Sequence, residues 1–403
     1  MATGDGFVLR IKPSGGLLTL EQTAALARLA LTYGSGRLDL TARANLQIRG
    51  VQTQAIAPLT DRLGDLRLLD ADPEIEAVRN VVLSPLHGAD PEMVPGLQGL
   101  ASALEARIAS DPMFRALPAK WNFVIDGGGR LPLGGIAADL RFEVDKAGAV
   151  QVGLGTDPRR AAVPAGGLVE SAAALCRLAL EPAPRRMKVV LQERSAADLF
   201  AAAGLDLIAS PARQTAAMLS DVIGLHHTGN FAYLGAAAAF GDLSAQDLLT
   251  LATEAQACGA RDVRLTPWRA LLVTGLAKAG AAQLGKRLAT SHLILSSDNP
   301  RLAVAACSGA PACHRGSTPV RDHAAALAEL LPASGRGGIA LHVSGCAKGC
   351  AHPETAPWTL VGRDGLYDLV GDGKAGEQPL VRGLSFQEAA VWLSRSPGEE
   401  PLC

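Results

Sequence analysis

The chain repeats itself. Residues Thr19 to Val51 align with Ser244 to Leu276 at a constant offset of 225 residues, without a gap. Identical pairs are Leu26/Leu251, Ala27/Ala252, Ala30/Ala255, Gly34/Gly259, Leu40/Leu265, Thr41/Thr266, Leu46/Leu271 and Gly50/Gly275. Ala-rich helices coincide through composition, but a shared Gly turn, a Leu-Thr strand end and a closing Gly do not. Each copy predicts a helix (19–33 and 244–257), a turn, and an alternating strand such as Arg37 to Thr41. A second strand follows at Leu46 to Arg49 and at Leu271 to Thr274. A chain of 403 residues suggests two to four structural units. We therefore expect copies at 1–70 and 225–295, each followed by a mixed unit, at 75–208 and 300–403.

Within 75–208 the pattern predicts strands at Lys120 to Asp126, Arg141 to Val144 and Val150 to Leu154. Helices are expected at 97–109, 168–180 and 195–203. Gly127 to Gly129 reads as a hairpin turn. Pro-containing stretches near 155–165 and 209–214 read as loops, the latter a linker. The last unit predicts a helix at 319–331, a strand at Gly338 to Val343 and a closing helix at 386–395. Strands and helices mix without regular βαβ alternation, which predicts an α+β fold.

Lys and Arg number 38 against 39 Asp and Glu, and aromatics are 4%. Neither the basic field nor the stacking surface that nucleic acid requires is present. The N-terminus lacks a basic segment followed by an apolar run, and no long apolar stretch predicts a membrane span. The seven cysteines are accordingly read in a reducing cytoplasm, where clustered thiols indicate metal or catalysis rather than disulfides.

Four of them form two pairs, Cys307-x5-Cys313 and Cys346-x3-Cys350. Four thiolates in a compact shell suit a [4Fe–4S] cubane. Gly309, Gly345 and Gly349 permit tight loops whose N–H groups can face cluster sulfur, and Lys348 adds a cation beside an anionic centre. A structural zinc site in a protein without catalysis is the rival, although zinc modules mostly use pairs two to four residues apart. Cys176 and Cys258 lie in apolar helical segments and read as core; Cys403 reads as a loose terminal thiol. No GxGxxG opens a helix after a strand, so no bound nicotinamide is expected.

The order C-x5-C…C-x3-C resembles the sirohaem-containing sulfite and nitrite reductases. Thr41-Ala-Arg43-Ala-Asn45-Leu-Gln47 is similar to their Thr-x-Arg-Gln-x-x-Gln strand. Arg79-Asn80-Val81 is similar to their Arg-Asn-Val element, and Leu117 to Phe123 to their Pro-Arg-Lys-Phe-Lys segment. The resemblance covers nearly the whole chain. It implies a duplicated sulfite-reductase-like fold, with two ferredoxin-like half-repeats and two mixed α+β domains around a central tetrapyrrole site.

Within that superfamily the chain is most similar to the precorrin-3B synthase family. That resemblance implies O2-dependent hydroxylation of precorrin-3A in aerobic cobalamin synthesis, with a [4Fe–4S] cluster and a non-haem iron. It further implies an external donor, a ferredoxin or an NAD(P)H-dependent reductase. Sirohaem-dependent reduction of sulfite or nitrite is the alternative. Reducing sulfite requires several cations around a small dianion in a dry pocket. Here Asn122 stands where the reductases place a second lysine, and Ala44 and Ala119 replace a Gln and an Arg. The resemblance gives Arg43, Arg79 and Lys120 a catalytic role at the carboxylate-rich macrocycle, and adds Asn45, Gln47 and Lys348 to its contacts. Arg49, Arg269 and Arg315 are further candidates to pair with its acetates and propionates, although each taken singly reads as a solvated surface charge. His87, His314, His342 and His352 lie near the motifs, but no ligand spacing selects among them.

Overall fold

A computed structural model describes residues 1–394 apart from 71, 210–215, 230 and 332–337. The expected linker at 209–214, beyond its first residue, and Cys403 lie outside the described residues. Among the described residues the strands form four five-stranded sheets, with helices laid against them. The arrangement is the mixed α+β one that the sequence predicts.

Two sheets belong to the repeats. In the first, Gly6–Ile11, Leu46–Val51 and Arg37–Leu40 pair antiparallel. In the second, Phe231–Ala237, Ala270–Leu276 and Asp262–Leu265 do the same. Each sheet is completed by a strand from the other repeat. Leu17–Thr19 pairs with Asp262–Arg264, while Asp242–Ser244 pairs with Arg37–Asp39. Both exchanged strands run directly into the long repeat helices, Leu20–Tyr33 and Ala245–Ala257. Thr19 and Ser244 cap those helices by accepting the N–H groups of Gln22 and Asp247. The two helices pack on each other, and Leu26, Ala27, Ala30, Leu248, Leu251 and Ala255 are buried in one shared core.

The repeat extends to backbone conformation. Gly15 and Phe240, Gly16 and Gly241, Ala44 and Arg269, and Gly50 and Gly275 all have positive φ at the same offset. Gly50 has this geometry because Ser35 lies against it; a Cβ there would be 2.5 Å from the Ser35 Cβ.

The mixed units also match. In one, Val81–Leu83, Phe123–Asp126 and Leu140–Val144 run parallel, and Val150–Leu154 and Arg160–Val163 continue antiparallel. In the other, the order is Val304–Ala306, Leu341–Ser344, Ala356–Arg363, Leu366–Gly373 and Val381–Leu384, with the same directions. Two expectations fail here. Gly127 to Gly129 is no hairpin turn, because the strands on either side are parallel and a crossover joins them. The stretch 155–165, read as loop, contains the edge strand Arg160–Val163; Pro158 and Pro164 bracket a strand too short to show its alternation. Helices Leu97–Ser110, Leu168–Leu180 and Ala196–Ala202 lie where expected. Among the described residues no helix is long and apolar enough to cross a membrane.

Candidate functional site

The cysteine loops leave the second mixed sheet side by side. Val304–Ala306 and Leu341–Ser344 are parallel neighbours with Ala306 opposite Val343, so Cys307 and Cys346 emerge from the same sheet edge. The carboxyl ends of parallel strands are where such sheets hold ligands. The loops then press backbone to backbone. A Cβ on Gly345 would stand 3.2 Å from the Gly316 Cα and 3.4 Å from the Gly309 Cα. Gly309, at φ 59°, abuts Val320. Only glycine tolerates both the dihedral and the approach.

This contact aims N–H groups at sulfur. Cys307 Sγ accepts the Gly345 N–H at 3.2 Å, and the Gly309 N–H also faces it. Burial raises the Cys307 pKa, these N–H groups oppose the rise, and the nearby Cys313 and Cys350 add to it. Cys307, Cys313 and Cys346 are half-buried, and Cys350 is exposed. Thiols gathered in this way would have to ionise to bind a metal centre. Among the described residues no three His, Cys, Asp or Glu side chains converge in a way that could hold a single metal ion. A tetrahedral zinc needs its ligands at one point, whereas a cubane distributes four sulfur ligands over separate irons. An all-thiol donor set on two adjacent loops, with a backbone N–H aimed at one sulfur, is one that a cubane can use.

The first repeat sheet grips this module from one face. Arg10, Gln47, Asp39 and Asp242 form a row across four strands. On the same strand as Gln47, Arg49 donates to Asp39 at 2.8 Å and to Asp5 at 3.1 Å. It also donates to the Ala312 carbonyl, inside the first cysteine loop, at 2.9 Å. Arg321, one residue into the helix Val320–Ala328, bonds Asp39 and reaches Asp242 at 3.0 Å. Far from being a solvated charge, Arg49 is buried and ties the repeat to the cysteines.

The other end of the row is cationic. With its amide oriented to accept, Gln47 takes two N–H groups of Arg10 at 3.1 and 3.0 Å. Arg43 is half-buried and, among the described residues, makes no side-chain hydrogen bond or ion pair. Burial lowers its pKa, Arg10 and Arg186 lower it further, and Asp139 alone opposes them. Arg186 is itself fixed by Asp139, with Nε 2.8 Å from both carboxylate oxygens. Three guanidiniums thus share a half-buried space with Asp139, and Glu76 lies near enough to act on Arg10. Such a concentration of like charge is stabilised by an incoming anion.

The remaining expected residues are placed differently. Arg79 is saturated within the chain, bonding Asp70 at 2.7 Å, Glu105 at 3.4 Å and the Lys12 carbonyl at 3.1 Å. Lys12 is buried against Glu76 and the Ala77 carbonyl; burial pulls the Lys12 pKa down and pushes the Glu76 pKa up. Asn80 staples the Lys120 turn by donating to the Ala119 and Trp121 carbonyls at 3.2 and 3.0 Å. Lys120 itself is exposed, as is Lys348 on the second cysteine loop. Asn45 is buried, and its N–H bonds Thr41 Oγ1 at 3.2 Å. Asn122 is buried and donates to the Ala137 carbonyl at 2.7 Å.

His342 is fully buried with both ring nitrogens unpartnered among the described residues. Its ring lies 5.8 Å from that of His352, and burial, then His352 and Arg269, push its pKa down to about 4. Sequence reasoning missed Arg10 and Arg186. Alternation along Phe7-Val-Leu-Arg10-Ile-Lys12 puts Arg10 on the face of Gln47 once the strand is recognised. Nothing local marks Arg186.

The description Nitrite/Sulfite reductase ferredoxin-like half domain matches residues 1–66 and 224–291, the two repeats. A Precorrin-3B synthase from a Sinorhizobium species is 31% identical over 386 residues, covering 94% of this chain and 82% of the relative. A ferredoxin–nitrite reductase from Synechococcus elongatus is 26% identical over 396 residues, covering 89% and 77%. The structure of the Mycobacterium tuberculosis NirA protein superposes with a TM-score of 0.77 at 21% identity, over 98% of this chain and 82% of that one. That last likeness is one of fold.

Proposed function

The chain belongs to the precorrin-3B synthase family, within the nitrite/sulfite reductase superfamily, and on that premise we propose that it is an O2-dependent monooxygenase converting precorrin-3A to precorrin-3B in aerobic cobalamin synthesis. One oxygen atom enters the macrocycle as a hydroxyl at a meso carbon, and an acetate arm closes a lactone. Two electrons and two protons reduce the other oxygen atom to water. An external ferredoxin or NAD(P)H-dependent reductase supplies the electrons.

Cys307, Cys313, Cys346 and Cys350 are the ligands of a [4Fe–4S] cluster, which when bound supplies one-electron transfer. The Gly345 and Gly309 N–H groups offset charge on the Cys307 sulfur. Arg43 pairs with substrate carboxylates, with Arg10 and Arg186 beside it. Asn45 and Gln47 support that cationic end, and Gln47 does so by orienting Arg10. Arg79 acts at one remove, holding Lys12 and the segment at Asp70. Lys120 and Lys348 remain solvent-facing cations at the rim. A non-haem iron would complete the family's equipment. The unit boundaries at 1–70, 75–208, 225–295 and 300–403 are part of this reading, supported by the four sheets.

One observation carries the proposal. Two cysteine loops leave adjacent parallel strands, and Arg49 binds one of them to the strand that carries Gln47. Redox centre and carboxylate clamp thus share one rigid frame. A sirohaem nitrite reductase is the second reading, favoured by the likeness to the Synechococcus enzyme. Against it, Asn122 is buried and engaged with a backbone carbonyl, supplying no cation to a small anion.

Absorbance of protein purified without air separates the readings. A cluster alone gives a broad shoulder at about 400 nm, sirohaem adds intense sharp bands, and a zinc protein is colourless. Arg43→Ala should weaken precorrin-3A binding and leave the cluster spectrum intact. Unchanged affinity in that variant would remove Arg43 from the clamp.

A further inference from the structure

Beside the cysteine module, the second repeat borders a cavity of about 230 Å³ lined by Ala42, Phe240, Trp268, Arg269, Arg301 and His352, among others. Ala42 adjoins Arg43 on the first-repeat loop. Ala351, also in the wall, adjoins Cys350. The cavity therefore lies where both repeats and the candidate cluster loop meet.

Its wall contains two non-glycine residues with left-handed backbone, Phe240 at φ 59° and Arg269 at φ 57°. Their counterparts in the first repeat are Gly15 at φ 61° and Ala44 at φ 52°. The second copy keeps the disfavoured conformation and mounts a ring and a guanidinium on it. Strain retained at two positions around one cavity is characteristic of a site that binds something.

The charges have the same character. Arg269 donates to the Ala351 carbonyl at 3.1 Å, which holds the guanidinium one residue from Cys350, and among the described residues it has no ion pair. Arg301 has a buried, unpartnered Nε, while its far end lies 3.4 Å from the exposed Glu329. Phe240, Trp268, Leu219 and Leu302 make the remaining wall apolar. At this size the space is below the roughly 300 Å³ of pockets that enclose a whole small molecule. It suits one acidic arm and the edge of the body that bears it.

We propose that this cavity is a second carboxylate subsite, in which Arg269 and Arg301 receive an acidic arm of the macrocycle and Trp268 and Phe240 face the adjoining ring. The inference rests on the tetrapyrrole reading above. It adds that the substrate is held from both repeats, by the Arg43 loop on one side and its counterpart, the Arg269 loop, on the other.

The test is equilibrium binding of uroporphyrin III, an octacarboxylate tetrapyrrole, to the full chain purified without air. Arg301→Gln should weaken binding about tenfold, the loss of one charged hydrogen bond, and Arg301→Lys should recover part of it. Arg269→Gln should weaken it at least as much. Because Arg269 also holds Ala351, Arg301→Gln is the deciding variant, with iron content equal to wild type. If Arg43→Ala weakens binding and Arg301→Gln does not, the subsite is wrong and the tetrapyrrole reading survives. If the wild-type chain fails to bind uroporphyrin III, both fall together.

Discussion

The two mixed units turn the same corner with different chemistry. In the first, the chain leaves Val81–Leu83 at Ser84; in the second, it leaves Val304–Ala306 at Cys307. Ser84 Oγ accepts the Gly127 N–H at 2.9 Å, and Cys307 Sγ accepts the Gly345 N–H at 3.2 Å. Even the anchoring is parallel. Arg264, from the second repeat sheet, donates to the Pro85 and His87 carbonyls, as Arg49 from the first does to Ala312. The serine corner is self-contained: Ser84 donates to Asp126, and Asp126 accepts the Gly128 and Leu133 N–H groups. The cysteine corner is left open, with Cys313 and Cys350 near enough to Cys307 to act on its charge. One backbone design is therefore closed by serine and aspartate in one copy and lined by cysteine in the other, and the difference rests on a few side chains.

The comparison breaks most sharply at the sulfurs. Cys350→Ser should abolish turnover and strip iron and sulfide from protein handled without air, while the serine corner stays folded. A full iron and sulfide count in that variant would take Cys350 out of the ligand set.

A smaller but large effect is expected at the anchor of the serine corner. Arg264 and Asp262 are both buried and paired at 2.8 Å, so Arg264→Met should cost about 3–5 kcal/mol in denaturant unfolding. The same variant has a pH signature. Despite burial, the Arg264 and Thr274 hydrogen bonds hold the Asp262 pKa down to about 2, from 3.8. A depressed carboxylate contributes stability that is complete above its unfolded pKa and lost as pH falls toward 2. Arg264→Met should flatten the stability profile between pH 4 and 2; an unchanged acid limb would mean that the pair does not govern it.

Least costly should be Ser84→Ala. It leaves the Gly127 N–H and Asp126 short of a partner in a fully buried corner, at about 1–3 kcal/mol. Iron content should not change. If it falls with stability, the two corners are coupled and their roles are not separate.

Much of this fold is legible in the sequence alone. The offset of 225 residues, the helices at 97–109 and 168–180 and the paired cysteines are local patterns, and local patterns survive in sequence. Direction and partnership do not. Gly127 to Gly129 announces a change of course, but nothing in three glycines says whether the next strand returns or runs parallel. Arg79 sits in a familiar motif, yet Asp70, Glu76 and Glu105 claim it, and the last of these comes from a helix 26 residues onward. Arg49 looks like any strand arginine until its sheet meets Ala312, 263 residues away. Solvation and charge pairing are properties of the assembled molecule.

The crossed strands Leu17–Thr19 and Asp242–Ser244 have a consequence for how the polypeptide can be divided. A cut between the repeats yields two fragments, each holding the missing edge of the other's sheet and each exposing a raw edge of its own. Neither should be a stable body in isolation. Mixed together, they can recover the native pairing only by recognising each other, so the two copies form a single cooperative unit despite being written one after the other.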